Sequence, residues 1–155
     1  MTRTASRSAL LHVAVQDLHA GKRMQAGRLP ALADAVRDAA LKALVSAEAE
    51  RAADQGRRLE EAGGDMSGPA SLWMGGILDD AERDAHGHEP GPLLDIALTG
   101  ALRKAKAAEM VSSETAIALA RALGFGELEA AVTRNREEEA AADHALRERL
   151  AVLTG

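Results

Sequence analysis

A hydrophobic core with almost no rings constrains this chain more than any single motif. Hydrophobic residues make up 46% of its 155 positions, yet the aromatics are one Trp and one Phe, with no Tyr. Such a core must be filled by Ala, Leu, Val, Ile and Met. Ala and Leu are also the strongest helix formers, so the pattern points to helices in close approach. No run alternates β-branched and polar residues over several positions, and no strand is expected. The expected class is all-α, a single domain over 1–155, which is long enough to bury one sizeable core.

Charge narrows the partners. With 24 acidic against 19 basic residues the formal charge is −5, which disfavours non-specific binding to nucleic acid or to anionic lipid. No apolar run approaches about 18 residues, so no membrane span is expected. Arg3 and Arg7 precede the apolar stretch Ala9 to Val15, but it breaks at Gln16-Asp17 and no small-residue cleavage site follows. It reads as the first amphipathic helix rather than a signal peptide. The absence of cysteine excludes disulfides, thiolate metal ligands and a thiol nucleophile, and makes the cytoplasm the default compartment.

The first helix is expected to begin near Ser6 or Ser8 and run past Arg23, with Leu11, Val15, Leu18 and Lys22 on one face. Pro30 should kink or interrupt it, with 31–37 continuing or restarting. A second helix fits 38–62, carrying Ala40, Leu44, Ala47, Arg51, Asp54 and Arg58 on one stripe and ending at Gly63-Gly64. Ser67-Gly68-Pro69 is a turn into a short helix over about 70–85, in which Trp73 and Met74 are core anchors or caps of a dimer interface. After the loop from His86 to Pro92, a long helix runs to Leu123 with Gly124 as its C-cap, and a last helix spans about 126–153. Short connections favour antiparallel neighbours in an up-down bundle. Ala97, Gly100 or Ala101, Ala105, Ala108 and Ser112 form a small-residue seam that suits an internal neighbour or a homodimer.

Several stretches carry a resemblance. Leu11 to Lys22 resembles "Leu-x-x-Glu-Leu-Gln-Asp-Leu-Tyr-Asp-Ala-Glu-Lys", followed by Leu29-Pro30. Gln55 to Glu60 is similar to "Gln-Val-x-Arg-Leu-Glu", and Met74 to Ile77 to "Met-Glu-Gly-Leu". Asp95 to Leu98 resembles "Asp-Ala-Ala-Leu", and Leu119 to Gly124 the end of the fourth helix. Glu138-Glu139, Asp143 and Leu146 keep the spacing of "Glu-Glu-x-x-x-Asp-x-x-Leu". In this order the pieces resemble the YciE/YciF-type family of ferritin-like bacterial stress proteins, whose biochemical role is undefined. The resemblance covers nearly the whole chain and implies a ferritin-like up-down bundle of about five helices, four long and one short.

Ferritin-like bundles hold two metal ions with single Glu residues and Glu-x-x-His pairs. The resemblance implies that these ligands are missing here. Gly21 stands where the first-helix acid is expected, Glu48 to Arg51 replaces a "His-x-x-Glu", Gly75 replaces the third-helix acid, and Ala107 to Met110 replaces "Glu-His-Tyr-Glu". No cofactor and no metal are therefore expected, and the space left by Gly21, Gly75 and Ala107 must be refilled.

Arg51 has two readings. Pointing inward, it forms a buried ion pair with Glu48, Glu138 or Glu139 in the vacated metal space. Pointing outward, it is a helix-surface arginine paired at i,i+3 or i,i+4. The leading functional expectation is a non-catalytic, dimeric, stress-related bundle. The alternative is an iron- or manganese-binding protein with a relocated site at Glu50, Glu109, Glu114, Glu138 and Glu139. His86 and His88 read as polar loop residues, and Arg103, Lys104 and Lys106, like Arg134 to Glu139, as solvated helix faces.

Overall fold

The computed structural model describes residues 3–155; Met1 and Thr2, the start of the stretch weighed as a leader, lie outside the described residues. Five helices follow one another: α1 (Arg7–Ala35), α2 (Ala39–Gly63), α3 (Leu72–Gly87), α4 (Pro92–Leu123) and α5 (Gly126–Thr154). No strand occurs among the described residues. The fold is the all-α, ferritin-like bundle expected. Its two most extensive pairings are α1 with α2 and α4 with α5, while the shorter α3 packs across α1 and α4.

Local chemistry sets the boundaries. Ser6, Asp38 and Ser71 accept from the third residue beyond them and cap α1, α2 and α3, a contribution of about 1 kcal/mol each. Gly124 ends α4 at φ 76°, a left-handed conformation that glycine adopts without a Cβ penalty. Of the two alternatives at Pro30, continuation holds and interruption does not: α1 runs through the proline to Ala35, and Pro30 is exposed. The chain breaks instead at Val36, where the buried Asp95 of α4 accepts from the Arg37 and Asp38 amides at 3.0 and 2.8 Å. A carboxylate from another helix thus caps α2 and fixes the α1–α2 corner.

The apolar core is divided. One cluster gathers Leu29, Leu41, Val45, Met74, Leu78, Leu94, Leu98 and Leu146. The other gathers Leu11, Val15, Leu18, Leu59, Met66, Ala116, Ala120 and Val132. Trp73 packs against both and donates from its indole nitrogen to Asp17 at 2.6 Å. Met74 is fully buried, so both residues serve as the anchors expected of them. Between the two clusters lies a layer of buried polar side chains, among them Lys22, Gln25, Glu48, Gln55, Lys106, Glu109, Asn135 and Glu139.

Candidate functional site

That layer is built from pairs spaced by three residues, which point from one helix face. Lys22 and Gln25 come from α1, Glu48 and Arg51 from α2, and Lys106 and Glu109 from α4; α5 adds Glu139. Six of these side chains are essentially sealed from solvent, Glu48 being the most exposed of them at 3%.

Two carboxylates bridge two ammonium groups. Glu109 takes Lys22 on Oε1 at 2.6 Å and Lys106 on Oε2 at 3.1 Å. Glu139 repeats the pattern, Oε1 to Lys22 at 2.8 Å and Oε2 to Lys106 at 2.7 Å. Glu48 adds a third carboxylate to Lys106 at 2.7 Å and pairs its other oxygen with Arg51. Gln25 stitches the group together, donating to Glu109 at 2.5 Å and accepting from Lys106 at 3.1 Å.

Burying an ammonium ion costs several kcal/mol unless carboxylates and hydrogen bonds replace its water. Burial pulls the Lys106 ammonium toward the neutral form, but Glu109, Glu139 and Glu48 outweigh it and raise its pKa. Burial likewise opposes charge on Glu139, yet Lys106 and Lys22 hold that carboxyl well below the usual range. At Glu109 burial prevails over the same two lysines, and its pKa is raised. On acidification Glu109 is therefore the first of the two bridging carboxyls to take a proton.

A di-metal centre does not fit this arrangement. A metal pair needs carboxylate and imidazole donors converging on open points. Here the Nζ atoms of Lys22 and Lys106 stand at the points between the bridging carboxylates, and each already takes their oxygens. No group of three or more His, Asp or Glu side chains is arranged to hold a metal ion among the described residues.

The candidates named from sequence are placed as follows. Arg51 pairs with Glu48 at i,i+3 with its side chain 36% exposed, so it lies at the rim, while the sealed cations are Lys22 and Lys106. Glu139 belongs to the centre. Glu138 turns to the α2–α5 seam, where Arg58 meets it at 2.8 Å; burial opposes its charge, but Arg58 and Gln55 keep its pKa low. Of the relocated carboxylate set, only Glu109 and Glu139 come together. Glu50 is exposed, and Glu114 is on the surface with Arg136 at 2.5 Å.

Gly21 and Gly75 do not border this centre. A Cβ on Gly21 would meet Met74 at 3.5 Å, and one on Gly75 would meet Met24 at 3.1 Å. Both glycines serve the close approach of α1 and α3, and Ala107 is exposed. The sealed cations lie one residue from Gly21 and Ala107, at Lys22 and Lys106. Lys106 was assigned to a solvated face and is instead fully buried. Its spacing of three from Glu109 was the available signal. His86 and His88 donate from Nδ1 to the Glu82 and Asp84 carbonyls at 2.6 and 3.0 Å; His86 lies in the last turn of α3 and His88 is its C-cap, so the loop expected from His86 starts two residues later.

Residues 6–154 match the family model described as a domain of unknown function, DUF892. The chain belongs to this family. Among solved structures, the E. coli stress protein YciF superposes with a TM-score of 0.92 at 21% identity, covering 96% of this chain and 97% of that one. YcfI, a putative structural protein from Rhodopseudomonas palustris, superposes with a TM-score of 0.90 at 22% identity, covering 95% and 97%. At these identities the likeness shows the shared fold. No curated protein matches the sequence.

Proposed function

We propose that this family member is a non-catalytic, metal-independent bundle that has exchanged a di-metal centre for two lysine ammonium groups, and that it acts as a structural, stress-related protein. The observation that carries this reading is the pair of carboxylates, Glu109 and Glu139, each bridging Lys22 and Lys106. Bridging carboxylates are the means by which two-metal sites hold their ions. Here the protein's own cations take that role, which leaves neither an open coordination position nor a redox-active group. The relatives are a stress protein and a putative structural protein, and a role through surface and stability rather than chemistry suits both descriptions.

The acting form is a cytoplasmic homodimer. Ala97, Gly100, Ala108 and Ser112 of α4 remain half-exposed beside the exposed Val111, and a Cβ on Gly100 would meet nothing within 4 Å. Such a face admits a second helix closely. No described helix is long and apolar enough to cross a membrane, and nucleic acid is not a partner of so acidic a chain.

Metal analysis of the purified protein tests the reading. Iron, manganese and zinc are expected well below one per chain, and the midpoint of thermal unfolding should not change with a chelator or with added manganese. Stoichiometric metal, or a chelator-induced drop in the midpoint, would overturn it. Light scattering should return twice the chain mass; a monomer at working concentrations would remove the dimer alone.

Acid behaviour is a further check. Glu139 and Glu138 have lowered folded pKa values, so each contributes stability that is present above its unfolded value of about 4.3. That contribution is lost as pH falls through the folded pKa. Glu109, with its raised pKa, works the other way. Stability should therefore fall below about pH 4, and Glu139→Gln should flatten that acid limb in chemical unfolding.

A further inference from the structure

Three carboxylates, Glu48, Glu109 and Glu139, share two sealed ammonium groups, Lys22 and Lys106, which leaves one negative charge in excess. The remaining cation in contact with the cluster is Arg51, through the other oxygen of Glu48. The Arg51 side chain is also the member that reaches solvent, at 36% exposure. It lines a cleft of about 110 Å³ together with Leu44, Ala47, Glu48, Ala142 and Leu146. We propose that Arg51 is the third cation of the core, closing its charge at three against three, so that the ionisation of the sealed centre is set from this one half-exposed position.

The groups facing the cluster are accounted for helix by helix. From α1 come Lys22 and Gln25, from α2 Glu48 and Arg51, from α4 Lys106 and Glu109, and from α5 Glu139. Among the described residues no α3 side chain pairs with them. With Arg51 in place each of the three carboxyls has a cation in contact, although Glu139 Oε2 meets Lys106 Nζ at 2.7 Å without an aligned hydrogen bond. Without it, a low-dielectric site must hold an uncompensated charge, and the remedy in protein interiors is uptake of a proton. Glu109 is the carboxyl that takes it, being fully buried with its pKa already raised by that burial. An ordinary surface pair at i,i+3 would behave differently, since its loss costs little and changes no protonation state.

The inference deepens the metal-independent reading, and the two fail separately. Bound metal in the wild type would sink that reading, whereas the experiment below concerns proton uptake. The full chain is compared as wild type, Arg51→Gln, Arg51→Lys and the double variant Arg51→Gln/Glu109→Gln, by thermal unfolding from pH 5 to pH 8 at fixed ionic strength. In Arg51→Gln a carboxyl has a folded pKa raised above its unfolded value, so its contribution is present at low pH and lost as pH rises. The drop in unfolding midpoint should be small at pH 5 and larger at pH 8, by on the order of 5 °C. Arg51→Lys should follow the wild type, and the double variant should recover most of the loss at pH 8. A protonated-carboxyl band should appear in the infrared spectrum of Arg51→Gln at neutral pH and vanish in the double variant. If Arg51→Gln folds only at pH 5 or only with Glu109→Gln, the proposal stands. A small, pH-independent drop without that band overturns it, as does a failure to fold that neither acid nor Glu109→Gln repairs.

Discussion

Lys106→Met is expected to lower the stability of the bundle by about 3–5 kcal/mol, because it strips one cation from three carboxylates that have no water to fall back on. For a chain of this length that is a fall of about 6–20 °C in the unfolding midpoint. Methionine fills much of the lysine's volume, so the loss reports charge rather than a cavity. Removing the whole cluster should behave in the opposite way. Lys22→Met, Lys106→Met, Glu48→Leu, Glu109→Leu and Glu139→Leu combined replace every sealed charge with apolar volume. Replacements of this kind range from neutral to stabilising by about 1–4 kcal/mol. Arg57, exposed and paired only with Asp54, supplies the contrast, since Arg57→Ala should cost under about 1 kcal/mol. Denaturant midpoints at pH 7 measure all three. A five-residue variant as unstable as Lys106→Met would mean that packing rather than ion pairing holds this layer.

If the apolar variant is the more stable, the charged layer is kept for something other than stability. Its geometry indicates register. Four helices each contribute to one network, and the shift of any helix by one residue would strand a charge in an apolar cluster. Buried polar groups are known to fix register at a cost in stability. Here the layer also lies between two apolar clusters built mainly of flexible aliphatic side chains, which specify less by shape than rings do.

The bundle was legible in the sequence because its signals are local and redundant. Ser6 and Asp38 at the starts of α1 and α2, the Ser67-Gly68-Pro69 turn before α3, glycines after α2 and α4, and apolar periodicity mark four long helices and a short one. Pro30 left open whether the helix continues or restarts, because a proline can remain in a helix where its ring faces solvent; the corner itself depends on Asp95, some sixty residues away. The site was legible only in part. Lys22 stood on the apolar stripe of α1 with Leu11, Val15 and Leu18, a position where a solvated lysine has no place. Lys106 was hidden by Arg103 and Lys104, which made it look like one of a surface trio. Residues 106 and 107 point about 100° apart on a helix, so a ligand position placed one residue late on α4 falls on the surface at Ala107, and one placed one residue early on α1 falls at Gly21 in the α1–α3 contact. Which charges meet in a core is a property of four helices at once, and periodicity within one helix cannot supply it.

The corrected positions predict how metal binding would return. Restoring acids at Gly21, Gly75 and Ala107 should yield no uptake, since two of these face the α1–α3 contact and the third is exposed. The productive set is Lys22→Glu, Lys106→Ala, Arg51→His and Ala142→His. Lys22→Glu supplies the single carboxylate of α1, and removing Lys106 frees Glu109 to be the single carboxylate of α4. Arg51→His completes Glu-x-x-His with Glu48, and Ala142→His completes it with Glu139. Ala142 is buried and lines the cleft beside Arg51, which offers an imidazole space there. This is the ligand pattern of ferritin-like di-metal bundles, and about two manganese or iron ions per chain are expected. Metal should also raise the unfolding midpoint, because binding to the folded state alone stabilises it by mass action. Uptake by the four-residue variant and none by the glycine and alanine variant would establish that the two lysines occupy the metal positions. Equal uptake by both, or by neither, would refute it.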